Sequence, residues 1–155
     1  MSTAQDYGKD RRIVAGIDGS ASSVGALRWA IGQAGLTGAA VDAVAVWHYP
    51  VATGGYGWTP VGVGAEYDFR ELTEKILADV ISNALDPGSD VRVRAQVIEG
   101  NPAQVLIDAS AGADLLVVGS RGHGGFTEAL LGSVSQHCVH HARCPVVVLR
   151  CPDHD

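Results

Sequence analysis

The sequence is poor in lysine and cysteine, and each shortage excludes a class of protein. Lys9 and Lys75 are the only lysines, and the 155-residue chain carries a formal net charge of -6 at pH 7. General affinity for nucleic acid is not expected, because neutralising phosphates requires clustered Lys and Arg. The three cysteines, an odd number late in the chain, do not form the disulfide framework of a small secreted domain.

The sequence also lacks a long apolar run. None approaches the roughly 18 apolar residues of a membrane span, and residues 1–10 lack the apolar core of a signal peptide. A cytoplasmic protein without membrane attachment is therefore expected. We predict one domain over 11–150, between a flexible N-terminal tail at 1–10 and a C-terminal tail at 151–155.

Five short, β-branched apolar runs predict strands. They are Ile13–Ile17, Val41–Trp47, Val91–Ile98, Leu115–Val118 and Val146–Leu149. The intervals between them contain segments with helical spacing. Five strands alternating with four helices predict a doubly wound α/β fold, an open parallel sheet with helices on both faces.

The helical segments predict which residues face the core. The first helix is expected to bury Val24, Leu27, Ile31 and Ala34, and the second Phe69, Leu72, Ile76 and Val80. Asn101 is a suitable cap for the third helix, with Pro102 in its first turn. The fourth is expected to begin near Thr127 and to bury Leu130, Leu131, Val134 and Cys138.

The apolar pattern within each strand predicts its position in the sheet. Residues 91–97 alternate apolar and polar, which indicates an edge strand, whereas 13–17 and 115–118 are apolar throughout and belong in the centre. The last strand, 145–149, is also apolar throughout. An exposed edge of that kind promotes association, so we predict that a second copy of the chain covers it. The alternative is an interior last strand.

Residues 48–65 form a long segment of turn-forming and aromatic residues without a period. It follows the carboxyl end of a strand, where open α/β sheets bind ligands. Two interpretations remain, a lid over a ligand or an insertion without a role.

The strongest local signal is a buried strand that runs into the glycine-rich stretch Gly119-Ser-Arg-Gly-His-Gly-Gly125 and then into a helix. Glycines allow the backbone to approach an anion, and the helix N-terminus favours negative charge. Gly132 and Ser133 offer a second close approach. The stretch lacks the Gly-Lys-Ser/Thr ending of a P-loop and the early position of a dinucleotide fingerprint.

The spacing of these glycines resembles the ATP-binding universal stress proteins. That subgroup shares Gly, two residues, Gly, nine residues and Gly-Ser/Thr, which correspond here to Gly119, Gly122, Gly132 and Ser133. The resemblance extends to Ile13-Val-Ala-Gly-Ile-Asp18-Gly-Ser20, Gly100-Asn-Pro102 and the closing Cys-Pro-Val-Val-Val-Leu149, and so covers nearly all of 11–150.

The resemblance implies strand order 3-2-1-4-5, a homodimer joined through Pro145 to Leu149, and ATP bound between the first and fourth strands. It also implies the residues that bind ATP. Gly16, Asp18 and Gly19 lie beside the adenosine, and Val46 meets adenine through its backbone. Ribose and phosphates contact Gly119, Ser120, Arg121, Gly122, His123, Gly124, Gly125, Gly132, Ser133, Val134 and Ser135.

Asp18 has two interpretations. A carboxylate at the carboxyl end of a central strand can bind a ribose hydroxyl or a Mg²⁺ ion that bridges phosphates. Alternatively, Asp18-Gly19 forms a turn before a helix cap at Ser20 or Ser22. Its position favours the functional interpretation.

A second cluster has the chemistry of a metal site. His137, His140, His141 and Cys144 share one helical face, and these residue types bind zinc. Related helices end near here in a similarly placed Cys-Pro, and cationic side chains suit a helix C-terminus. The structural interpretation is preferred for this cluster.

The sequence therefore predicts a nucleotide-dependent homodimeric module that binds ATP in a stress-response or regulatory role, with slow hydrolysis at most. An adenylating enzyme is one alternative, although Asp18–Ser23 lacks the Ser-Gly-Gly pyrophosphate loop of that group. A nucleotide-free dimeric scaffold is the other, although the glycine motif is intact.

Overall fold

A computed structural model of the chain describes residues 11–48, 68–120 and 131–150. These residues form β1 (Arg12–Ile17), α1 (Ala21–Thr37), β2 (Ala40–Trp47), α2 (Phe69–Ala84), β3 (Val93–Glu99), α3 (Pro102–Ser110), β4 (Leu115–Gly119), α4 (Ser133–His141) and β5 (Val146–Leu149). The two tails and all of the 48–65 segment except His48 lie outside the described residues.

The five strands form one parallel sheet in the order β3-β2-β1-β4-β5. The predicted doubly wound α/β fold and strand order are confirmed. β1 and β4 occupy the centre, and β3 occupies one edge, as their patterns predict. β5 pairs with β4 alone among the described strands, so an interior position for the last strand is wrong.

Two apolar layers cover the sheet because alternate residues of each strand face opposite sides. Ile13 of β1 and Val41 of β2 pack in a layer with Leu27 of α1 and Leu77 of α2. The opposite layer contains the neighbouring strand residues Val14 and Val44, together with Leu106 of α3 and Cys138 of α4. Helices α1 and α2 therefore cover one face, and α3 and α4 the other.

Helix α1 buries the predicted face, with Leu27, Ile31 and Ala34 in the core and Val24 against it. The prediction for α2 is right for Val80 and wrong for Leu72 and Ile76. Its buried residues are Leu77 and Val80, whereas Leu72 and Ile76 are 47% and 39% exposed. Both 76 and 77 are apolar, so the sequence contains two overlapping stripes, and packing on the sheet selects the stripe that includes Leu77.

The two remaining helices differ in how well their starts were predicted. Asn101 caps α3 as expected, because its side-chain oxygen accepts a hydrogen bond from the Gln104 N–H at 3.1 Å. The described part of α4 begins at Ser133, not near Thr127, and Leu131 is 39% exposed instead of buried. Gly132 is extended, with φ -65° and ψ 162°, so it precedes the helix. Thr127 and Leu130 lie outside the described residues.

None of the four described helices combines the length and apolar content that a bilayer crossing requires.

Candidate functional site

The candidate site lies at the carboxyl edge of the sheet, where the strand order reverses. β1 has β2 on one side and β4 on the other, and α1 and α4 each begin just beyond this edge. Chains that leave adjacent strands in opposite directions open a crevice between them, which is where open α/β sheets bind ligands. Three strand ends and two helix N-termini therefore surround one crevice.

The turn after β1 is organised by hydrogen bonds among Asp18, Ser20 and Ser23. The exposed Asp18 carboxylate accepts a hydrogen bond from the Ser20 N–H at 2.9 Å and another from its hydroxyl. Ser20 is the N-cap of α1, and its side chain accepts from the Ser23 N–H at 3.3 Å. Gly19 provides the positive φ of 84° that this turn requires. The turn interpretation of Asp18 is thus observed, and it leaves the carboxylate at the edge of the crevice.

β4 ends against the start of α1 with no space for a side chain. A Cβ built on Gly119 would lie 2.8 Å from the Ser22 carbonyl carbon and closer still to the Ser22 hydroxyl oxygen. These separations are far below van der Waals contact, so Gly119 allows the helix to approach the strand. Its first role in the structure is therefore packing, which the glycine spacing alone did not indicate.

The start of α4 is tied to the end of β4 by two hydrogen bonds. The Gly132 N–H donates to the Ser120 carbonyl at 2.8 Å, and the Ser135 hydroxyl donates to the Gly119 carbonyl. The residues on either side of 121–130 are consequently fixed beside one another. The Ser120 N–H in turn donates to the Leu149 carbonyl of β5 at 2.8 Å.

Helix α4 begins without a side-chain cap among the described residues. Its N-cap is Gly132, no described side chain makes a capping hydrogen bond to the first N–H groups, and the first turn contains no acidic residue. The first N–H groups of a helix have no partner within the helix, and they carry partial positive charge. The exposed Ser133 hydroxyl lies at the same end. This helix end is suited to binding an anion.

The end of β2 directs backbone groups into the crevice. Val41 and Trp47 bond to the β3 side, which places the backbone groups of the even-numbered residues, including Val46, on the β1 side. β1 pairs with β2 only as far as Ile17 opposite Ala45, one residue short of Val46. Among the described residues, the turn after β1 donates no backbone hydrogen bond to the Val46 carbonyl.

The structure places most of the predicted binding residues at this edge. Those present are Gly16, Asp18, Gly19, Val46, Gly119, Ser120, Gly132, Ser133, Val134 and Ser135. Arg121, Gly122, His123, Gly124 and Gly125 lie outside the described residues. Gly16 is buried beside α3, where its Cβ would lie 2.8 Å from Leu106 Cδ1, so it also serves packing.

Sequence reasoning named Ser20 as a candidate cap of α1 but missed the packing role of Ser22 and the hydrogen bonds of Ser23. The Ser23 hydroxyl accepts from the Asp18 N–H at 3.2 Å and donates to the Ser20 carbonyl at 2.9 Å. Ser22 is 5% exposed and supplies the surface against which Gly119 packs. The repeated serines after Asp18-Gly19 are the helix-start signal that could have indicated the roles of Ser22 and Ser23.

The histidine-rich end of α4 is not a closed metal site. Helix α4 ends at His141 with Ala142 as C-cap, so Cys144 does not continue the helical face, contrary to the spacing argument. Within the described ranges, no group of three or more His, Cys, Asp or Glu side chains is arranged to hold a metal ion. Burial raises the pKa of the Cys138 thiol to about 11 and also raises the pKa of Cys144. A raised thiol pKa makes loss of the proton less favourable, and a cysteine must lose that proton to bind a metal ion, so burial disfavours both cysteines as ligands.

A buried carboxylate that pairs with two partly exposed arginines lies towards the other end of the sheet. Asp42 is 4% exposed, and its carboxylate accepts hydrogen bonds from Arg94 Nε at 2.7 Å and from an Arg12 terminal nitrogen at 3.2 Å. Arg12 also donates to the Ala109 and Ala111 carbonyls near the end of α3. This network joins β1, β2, β3 and α3, and it lies outside the crevice.

Comparison with known proteins places the chain among proteins of one family. The family model described as "Universal stress protein family" matches residues 10–150. A universal stress protein of Mycobacterium tuberculosis is 37% identical over 143 residues, covering 89% of this chain and 45% of the relative. One of Mycolicibacterium smegmatis is 36% identical with the same coverage. The chain therefore spans about half the length of the curated relatives that it matches.

Solved structures share the fold at lower sequence identity. UspA from Lactobacillus plantarum has a TM-score of 0.64 at 21% identity, with coverage of 90% of this chain and 97% of that chain. An Arabidopsis thaliana protein solved with AMP bound has a TM-score of 0.59 at 19% identity, with 92% of each chain covered. A universal stress protein in complex with cAMP has a TM-score of 0.60 at 23% identity, covering 90% and 95%.

Proposed function

Because the chain belongs to the universal stress protein family, we propose that it binds ATP in the crevice between the ends of β1 and β4. The observation that carries this proposal is the uncapped N-terminus of α4, held at that edge by the Gly132–Ser120 and Ser135–Gly119 hydrogen bonds. Family members of the same fold have been solved with AMP and cAMP. They support a nucleotide as the ligand.

Each part of the nucleotide has a matching group in this proposal. The N–H groups of Ser133, Val134 and Ser135 meet the phosphates, together with the glycine-rich stretch Gly119–Gly125 and its side chains Arg121 and His123. The Val46 carbonyl accepts from the adenine amino group. Gly16, Asp18 and Gly19 lie beside the ribose, where the Asp18 carboxylate binds a ribose hydroxyl or a Mg²⁺ ion on the phosphates.

We propose binding with slow hydrolysis at most. The crevice segments 16–23, 46–48 and 119–135 contain no lysine. Fast phosphoryl transfer requires a cation on the transferred phosphate and a residue that positions the nucleophile. His48, Arg121 and His123 are the cationic candidates in these segments, so occupancy of the site, not turnover, is its output.

We further propose a homodimer joined through β5. All four residues Val146–Leu149 are apolar, partly exposed and at a sheet edge. β5 also connects directly to the crevice, since the Leu149 carbonyl accepts from Ser120, whose carbonyl accepts from Gly132. A ligand that fixes Gly132 thereby acts on the dimer edge, and the two equilibria are linked.

Titration with ATP tests the binding proposal. A ligand selective for the native state at about 100 times its Kd adds about 2.7 kcal/mol to the free energy of unfolding. In a domain of this size that increase raises Tm by about 5–11 °C. Asp18→Asn should reduce the ATP affinity measured by calorimetry, whereas Asp79→Asn, the same change on the exposed face of α2, should not. An unchanged Tm in millimolar ATP contradicts the proposal.

A second variant separates binding from folding. Gly122→Ala should weaken ATP binding while the fold persists, because a Cβ crowds the backbone against phosphate. Circular dichroism checks the fold and calorimetry the affinity. Equal affinity in variant and wild type would count against the glycine-rich stretch as a phosphate site.

Sedimentation with and without ATP tests the dimer. Pro145 and Leu149 direct their carbonyls to β4, so the backbone groups of Val146 and Val148 face outward. Val148→Pro removes one outward N–H and no bond to β4, and it should leave a monomer, whereas Val148→Ala should still dimerise. A wild type that is monomeric at high concentration with saturating ATP would refute the dimer.

A further inference from the structure

The exposed face of α4 carries three histidines that the proposed nucleotide site does not use. His137, His140 and His141 are all exposed, while Ser135 and Cys138 form the buried face of the same helix. His141 is eight residues from Ser133, or about 12 Å along the axis at 1.5 Å per residue. The far end of the helix is therefore separate from the phosphate-binding end.

His137 and His141 are the pair suited to chelation. Residues four apart lie above one another on a helix, and their ring centroids are 5.9 Å apart. Two imidazoles on one tetrahedral metal, with metal–nitrogen bonds of about 2.0–2.1 Å, have centroids roughly 5 Å apart. Rotation of the exposed His141 side chain is sufficient for an approach of that size and leaves His137 in place. His140 and His141 are 6.2 Å apart, but adjacent residues point away from each other around the helix.

A hydrogen bond already sets the ring orientation of His137. Its Nδ1 lies 3.3 Å from the Ser133 carbonyl oxygen. A carbonyl only accepts, so Nδ1 is the donor, and Nε2 is the ring nitrogen left to bind a metal ion. Metal-binding histidines have this arrangement, in which one ring nitrogen donates to a backbone oxygen and the other binds the metal.

The local field favours a cation, and the remaining coordination positions are open. His141 is the last residue of α4, where the helix dipole is negative. Cys144 lies beyond the C-cap with a raised thiol pKa, and no third ligand completes the site among the described residues. Imidazole nitrogens select Zn²⁺, Cu²⁺ or Ni²⁺ over Mg²⁺, which prefers oxygen.

We propose that His137 Nε2 and an imidazole nitrogen of His141 chelate a divalent transition metal ion, with water in the remaining positions. This site is independent of the nucleotide crevice. It accepts borderline metal ions, whereas the crevice accepts Mg²⁺ only together with phosphates.

The test uses untagged full-length protein, free of nucleotide, titrated with ZnCl₂. Calorimetry measures affinity, and ¹⁵N spectra of the imidazole rings identify the nitrogens that bind. We expect zinc to shift the His137 and His141 ring signals together. His137→Ala and His141→Ala should each weaken this binding by roughly tenfold or more, since even a partner outside the coordination sphere is worth ten- to a hundredfold.

His140→Ala is the matched control, because it removes an exposed imidazole from the same turn and should leave Zn²⁺ affinity within about twofold. The Tm values of the metal-free variants and their ATP affinity should match the wild type. The chelate is refuted if zinc shifts the ring signals of neither histidine, or of only one of His137 and His141. Undiminished affinity in the His137→Ala, His141→Ala double variant refutes it as well.

Discussion

Replacing Gly119 with alanine tests whether this glycine is required by packing or by the ligand. The new Cβ would lie 2.8 Å from both the carbonyl carbon and the Cβ of Ser22, and closer still to its hydroxyl oxygen. The hydroxyl can rotate away, but the carbonyl carbon belongs to the first turn of α1 and moves only if the helix moves. The substitution therefore pushes α1 away from the end of β4.

The expected cost follows from overpacking at a site with little freedom. Forcing an extra methyl group into a well-packed interior costs about 1–3 kcal/mol. For a domain of this size each kcal/mol lowers Tm by about 2–4 °C, so a decrease of about 2–12 °C is expected. ATP affinity should fall as well, because Ser120 and Gly132 are positioned through the same strand end.

Two other glycines provide controls of known sign. Gly32 is exposed in the interior of α1 with nothing within 4 Å of an added Cβ, so Gly32→Ala should stabilise by about 0.5–1 kcal/mol. Gly16→Ala meets only the flexible end of Leu106 and should cost less than Gly119→Ala. Urea denaturation measures all three. A Gly119→Ala protein as stable as wild type, with ATP affinity alone reduced, would refute the packing argument.

Two further predictions concern the buried polar groups. Asp42→Asn should destabilise the protein by about 2–3 kcal/mol, because two guanidinium groups lose their carboxylate. Arg70→Ala, the control, breaks the exposed Arg70–Glu74 pair and should lower the free energy of unfolding by less than about 0.5 kcal/mol. Urea denaturation measures both variants, and equal losses of stability would contradict a structural role for Asp42. The Cys138 pKa of about 11, raised from 9.0, means that the native state holds the thiol proton more tightly than the unfolded state. Stability is unaffected by this group below pH 9 and decreases by about 2–3 kcal/mol as the pH rises to 11, a slope that Cys138→Ala should reduce.

Local sequence patterns were sufficient to place three of the five strands, whereas the full strand order was an implication of the family resemblance. The alternation in 91–97 and the continuous apolar runs at 13–17 and 115–118 placed β3 at an edge and β1 and β4 in the centre, as observed. These patterns predict strand positions because the polarity of the residues on each face of a strand follows from whether that face is buried. The start of α3 at Asn101-Pro102 was also predicted correctly, because a helix cap forms its hydrogen bond with a residue only three positions away.

Features that depend on contacts between residues far apart in the sequence could not be predicted from it. The apolar stripe of α2 was assigned wrongly because 76 and 77 are both apolar, and contact with the sheet decides between them. In the sequence, Asp42 is only a polar residue within a predicted strand. Its partners Arg12 and Arg94 are 30 and 52 positions away along the chain, and only the folded structure places them beside it.

For the candidate site, the sequence by itself determined the residue types that an anion-binding crevice requires and their place after β1, β2 and β4. Only the tertiary structure decided what those residues do for the fold. Gly119 allows Ser22 to pack against β4, and Gly16 allows Leu106 to pack against β1. Asp18 accepts a hydrogen bond from the N-cap residue of α1. The sequence shows that a glycine has no side chain, but only the folded structure shows which neighbouring atoms pack where that side chain would be.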